Sequence, residues 1–80
     1  MSTLAAKLDP TAVEVEVADD RLRVTLSDGR EVSVPLAWFP RLCSASETQR
    51  RHWRLIGRGE GIHWPEADED ISVASLLRPR

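Results

Sequence analysis

Between Ala12 and Leu36, apolar and polar residues alternate in three runs separated by short polar stretches. Alternation of this kind is the two-residue period of a half-buried strand and does not fit the 3.6-residue period of a helix. In the first run Val13, Val15 and Val17 are expected on one face, with Glu14 and Glu16 on the other. Ala18-Asp19-Asp20 reads as a turn. Leu22, Val24 and Leu26 then alternate with Arg21, Arg23 and Thr25 as a second strand. Ser27-Asp28-Gly29-Arg30 is a hairpin signal, because Asp-Gly accepts the positive φ of a tight hairpin turn. Val32, Val34 and Leu36 make a third strand, and Pro35, which lacks an N–H, places that end at a sheet edge. The three strands form an antiparallel meander with one apolar face.

The pattern then changes. Trp38 and Phe39 lie between Pro35 and Pro40 and fit neither a strand interior nor a helix interior, so Ala37–Leu42 is expected to form an irregular corner over the sheet. Ser44 with Glu47, and Ser46 with Gln49, both have capping-box spacing. The spacing predicts one helix from there through Ile56, with Leu42, Ala45, Trp53 and Ile56 on its apolar side and Gly57 as its C-terminal cap. Gly61–Trp64 reads as a returning fourth strand stopped by Pro65. For the last segment two readings stand: Ile71 and Val73 pair with the sheet, or Ser72 caps a helical turn that buries Leu76 and Leu77. The expected class is α+β: a three-stranded antiparallel meander, one helix packed on it, a returning fourth strand and a short C-terminal helical turn.

Size sets further limits. Eighty residues are too few for two separate cores, and a chain of this length buries only about 60–65% of its unfolded surface. One domain over residues 12–77 is expected, with a flexible N-terminal segment at 1–11 and a tail at 78–80. Its thin stability margin favours burial against a partner. No apolar run is long enough to span a membrane, and the start lacks the apolar stretch of a signal peptide. The single cysteine, Cys43, forms no internal disulfide. A cytoplasmic protein is expected.

The net charge of −2 conceals a segregated distribution. Residues 41–58 carry Arg41, Arg50, Arg51, Arg54 and Arg58 against Glu47 alone, and residues 60–70 carry Glu60, Glu66, Asp68, Glu69 and Asp70 with no base. The plain reading is that the two blocks face each other or are solvated. Ten of the eleven basic residues are arginine, the cation enriched at protein interfaces. A sequence pI of about 5.6 and the neighbouring acids disfavour nucleic acid.

Other motifs have bland readings. Gly57-Arg58-Gly59-Glu60-Gly61 follows the expected helix instead of preceding one, so a helix C-terminus faces it and phosphate binding is not expected. Cys43, His52 and His63 have no metal-ligand spacing, and the lone thiol has no defined base beside it. Asp68-Glu69-Asp70 lacks the ligand series of a calcium loop. No cofactor, no metal and no catalytic residue is expected, and the chain is not expected to be an enzyme. Trp38, Trp53 and Trp64 are expected in the core, with Trp64 or Trp38 as the alternative rim anchor for a partner.

Pro35–Leu42, Gln49-Arg50-Arg51-His52-Trp53, the run Gly59–Ser72 and Leu76-Leu77 together resemble the bacterial domain-of-unknown-function family 2442. The resemblance covers residues 12–77 and is most specific in Ile62-His63-Trp64-Pro65 and Asp68-Glu69-Asp70-Ile71-Ser72. It implies a small α+β domain. It also implies an antitoxin-like role, since genes of the family often lie beside one for another small protein and the pairs have been viewed as toxin–antitoxin modules. No catalytic residues are established for the family. Some related proteins add a helix-turn-helix domain, for which these residues leave no room, so direct transcriptional autoregulation is not expected. The resulting expectation is a protein-interaction domain that binds and neutralises a small cognate partner encoded by a neighbouring gene. The candidate contact residues are Trp38, Arg41, Arg50, Arg51, Arg54, Trp64, Asp68, Glu69 and Asp70. A homodimer through an edge strand, or a nucleic-acid module using Arg50, Arg51, Arg54 and Arg58, are the alternatives.

Overall fold

The computed structural model describes residues 10–78. The expectations for residues 1–9 and 79–80 lie outside the described residues. The fold is α+β, with two three-stranded antiparallel sheets and short helices. The first sheet has the order β1 (Ala12–Ala18), β2 (Arg21–Leu26), β3 (Glu31–Pro35). After a 3₁₀ turn at Leu36–Trp38 come α1 (Pro40–Ser44) and α2 (Glu47–Arg51). The second sheet follows in the order β4 (Arg54–Ile56), β5 (Gly61–Trp64), β6 (Glu69–Ser72), and α3 (Val73–Leu77) closes the domain.

The meander forms as the alternation dictates, with one correction. Val13 is a β-bulge: the register slips between Ala12 and Glu14, so Ala12 is 2% exposed and Val13 is 53% exposed. The extra residue lets Ala12 and Val15 both face the core, an odd spacing that plain alternation forbids. The Asp19-Asp20 turn has both residues at positive φ (53° and 63°), the geometry that two-residue hairpins require. In the second turn the Asp28 carboxylate accepts the Arg30 N–H (3.1 Å) and guanidinium (2.8 Å), and these bonds, the backbone one first, hold its carboxyl below the usual carboxylate range.

The single helix expected through Ile56 is a second correction. Pro40 starts α1, whose C-terminal carbonyls of Leu42 and Cys43 are capped by the Arg50 guanidinium at 2.8 and 2.9 Å. A separate capping box then starts α2: Ser46 Oγ accepts the Gln49 N–H at 3.1 Å, and Gln49 Oε1 accepts the Ser46 N–H at 2.9 Å. The chain leaves the helix at His52, and Arg54–Ile56 pairs with Gly61–His63 as a strand. Gly57 (φ 64°) therefore serves a hairpin turn and not a helix cap. Ser46→Ala is expected to cost about 1 kcal/mol, read as a lower urea midpoint, since it removes the hydroxyl that accepts the Gln49 N–H while leaving the residue-46 N–H to donate to Gln49 Oε1.

Each reading of the last segment is realised in part: Val73 lies in α3 and not in the sheet, and of the two leucines Leu76 is buried while Leu77 is 39% exposed. Ile71 pairs with Ile62 in β6, and Ser72 then caps α3 by accepting the Ser75 N–H at 3.0 Å. One core serves both sheets: Leu22, Val24, Leu26 and Val34 from the first meet Ile62, Trp64 and Ile71 from the second, closed by Leu36, Phe39, Leu42, Val73 and Leu76. The sheets are joined by a main-chain bond from the Ala12 N–H to the Gly59 carbonyl at 2.7 Å. Among the described residues no helix is long and apolar enough to cross a membrane.

Candidate functional site

The expected contact residues do not gather in one patch. Trp64 is a correction to the rim-anchor reading: it is wholly buried, and its indole N–H donates to the Arg50 carbonyl at 3.1 Å. Trp53 is partly buried against the core, and Trp38, in the 3₁₀ turn, is 40% exposed. Alternation places Trp64 on the same face as Ile62, which is why it goes inward.

The arginine and acidic blocks meet in part. Arg41 donates to the Asp68 carbonyl and lies 3.7 Å from the Asp68 carboxylate and 4.0 Å from that of Glu69. His52 Nδ1 lies 3.2 Å from Glu66, and His63 Nδ1 contacts Asp70 across the β5–β6 pair. These contacts fasten the loop between β5 and β6, where Asp68 takes a positive φ of 53°. Each exposed pair contributes at most about 1 kcal/mol. Arg50 is committed to the α1 carbonyls, and Arg51 lies 3.9 Å from Glu47 one helical turn away. Arg54 stands opposite His63 in the β4–β5 register. Among the described residues no cluster of three His, Cys, Asp or Glu side chains is placed to hold a metal.

A groove of about 430 Å³ that sequence reasoning missed lies between β1 and α2, lined by Val15–Ala18 on one side and by Glu47, Arg50, Arg51 and Trp53 on the other. Its floor is chemically defined by the hairpin. With Ala18 and Arg21 closing a two-residue turn, the main-chain groups of Ala18, Glu16 and Glu14 bond to β2, and those of Val15 and Val17 point away from it. Among the described residues no hydrogen bond reaches the N–H or C=O of Val15 or Val17. The β3 edge differs. Pro35 offers no N–H, and the Ser33 carbonyl already accepts the Arg21 guanidinium at 3.0 Å. The Asp19-Asp20 pair announces the outward groups of β1. That α2 and Trp53 wall them into a groove is a tertiary result without a local signal.

A comparison with curated proteins finds no match. Among solved structures, the crystal structure at 2.75 Å of a protein of unknown function from Rhodospirillum rubrum ATCC 11170 is similar. It is 28% identical, covers 88% of this chain and 87% of its own, and superposes with a TM-score of 0.75. The family model described as protein of unknown function (DUF2442) matches residues 12–80, which include both sheets and all helices among the described residues, and the chain belongs to that family.

Proposed function

We propose that the domain is a cytoplasmic protein-interaction module that binds, and by binding neutralises, a small cognate protein in the manner of an antitoxin. The observation that carries this reading is the β1 edge, which has no strand partner among the described residues. Two consecutive outward residues, Val15 and Val17, present paired N–H and C=O groups to a groove, and an extended segment of another chain supplies the matching pattern of donors and acceptors. The size of the domain supports the same reading, since a small core gains from burial against a partner. The resemblance to a family encoded beside a second small protein names the partner to try.

The test is co-expression with the product of the adjacent gene, followed by size-exclusion chromatography at micromolar concentration. A complex that co-elutes supports the reading, and two separate peaks overturn it. Val17→Pro sharpens the test. It deletes one outward N–H at a position preceded by an already extended residue and trims the partly buried Val17 side chain, so stability in urea titration is expected to fall by about 1–2 kcal/mol with folding still cooperative. The complex is expected to weaken by about tenfold or more, because a strand hydrogen bond is lost and the pyrrolidine ring occupies the seam. Unchanged affinity removes the β1 edge from the interface.

A further inference from the structure

We infer that the β4 edge is a second docking strand, specific for an extended acidic segment of a protein partner. All three β4 residues are exposed, with Leu55 at 37% and Ile56 at 45%. Among the described residues the strand pairs with β5 on one side only, and its other side has no strand partner. Leu55 shares the face of Ile62 and Ile71 but sits at the sheet margin, where a fourth strand would cover it; Ile56 projects from the opposite face. Apolar residues on both faces of an open edge are what natural proteins avoid unless the edge is covered.

Charge identifies the occupant. Arg21, Arg23, Arg30, Arg41, Arg50 and Arg51 all have hydrogen-bond or ion-pair partners. Arg54, within β4, and Arg58, in the turn that follows it, have none among the described residues, as is true also of Arg78 after α3. Two unspent guanidiniums flank two exposed aliphatic side chains, and the complement is a strand of apolar residues flanked by carboxylates. A second copy of this chain is a poor occupant, because β4 against β4 brings four cations to one seam. A nucleic acid is also a poor occupant. β4 itself carries no aromatic side chain on which bases could stack.

This inference rests on the reading of the domain as a protein-binding module, and the experiment separates the two. The probe is a short synthetic peptide of alternating valine and threonine flanked by aspartates, followed by fluorescence anisotropy, with a lysine-flanked peptide as control. The aspartate peptide is expected to bind, to lose about tenfold in affinity between about 0.05 and 0.3 M salt, and to protect β4 amides from hydrogen exchange. Arg54→Glu with Arg58→Glu, both at exposed positions, is expected to leave the urea midpoint in place and to weaken peptide binding by about tenfold or more. No binding, equal binding of the lysine peptide, β4 amides left unprotected, tighter binding of a single-stranded oligonucleotide, or a concentration-dependent dimer abolished by the double variant each overturns the inference. A complex with the adjacent gene product that the double variant leaves intact overturns the β4 surface while leaving the protein-binding reading standing.

Discussion

Trp64→Ala is expected to abolish cooperative folding. Trp64 is the largest wholly buried side chain, and its indole N–H satisfies the Arg50 carbonyl. Truncation removes an aromatic contact worth about 3–5 kcal/mol and leaves a cavity at the junction of both sheets. It also strands the Arg50 carbonyl, at a further cost of about 1 kcal/mol. A domain of this size holds roughly 0.05–0.15 kcal/mol per residue, so the loss is comparable to the whole stability. Urea unfolding followed by far-UV circular dichroism should show no cooperative transition for Trp64→Ala. Trp64→Phe, which keeps most of the volume, should retain one at a lower midpoint. Trp38→Ala, at a position 40% exposed, should shift the midpoint far less. Equal effects at Trp64 and Trp38 would contradict the placement of Trp64 in the core.

The second large effect is expected at Gly59. Its φ is 90°, and a Cβ built there would lie 2.5 Å from the Ala12 carbonyl oxygen and 3.0 Å from Thr11 Cβ. These neighbours are main chain and a β-carbon, so they cannot swing aside as a long side chain would. Relief requires the turn to retreat from β1, which breaks the 2.7 Å bond from the Ala12 N–H to the Gly59 carbonyl. Strain at this φ adds about 1–3 kcal/mol, and the lost bond about 1 kcal/mol more. Gly59→Ala should therefore destabilise by about 3 kcal/mol in urea titration. Gly29→Ala is the matched control: its φ is 95°, but nothing lies within 4 Å of the added atom. It should cost only the conformational part, about 1–2 kcal/mol. A Gly59 variant no worse than the Gly29 variant would show that the two sheets are not held together at that point.

Much of the fold was legible because local chemistry and global architecture agree. Asp19-Asp20 and Asp28-Gly29 mark the hairpins of the first sheet, Pro35 marks its edge, and Ser46 with Gln49 marks a helix start that forms as the spacing requires. What sequence reading lost was decided by contacts between distant segments. Ile56 continues a plausible helical stripe, yet it pairs with Gly61 once the glycine-bearing turn reverses the chain. The Val13 bulge follows from the need to bring Ala12 under the core next to Gly59, which the alternation alone does not reveal. The candidate site was legible only in its chemistry. Arg41 does meet Asp68 and Glu69, but as an internal fastening of a loop, and the open β1 edge becomes a groove only when α2 and Trp53 arrive beside it.

The Ala12–Gly59 bond has a consequence for how the chain acquires its structure during synthesis. The hairpins of the first sheet close over short turns, on a microsecond scale, but an isolated meander with one bare apolar face is marginal in water. Ile62, Trp64 and Ile71, which cover that face, come from the last third of the chain. A nascent chain emerging from the ribosome thus passes through a long interval of transient hairpins and commits only when β5 is available to close the large loop between Ala12 and Gly59. Any partner that recognises the β1 edge meets a persistent target after that closure, and before it only a flickering one.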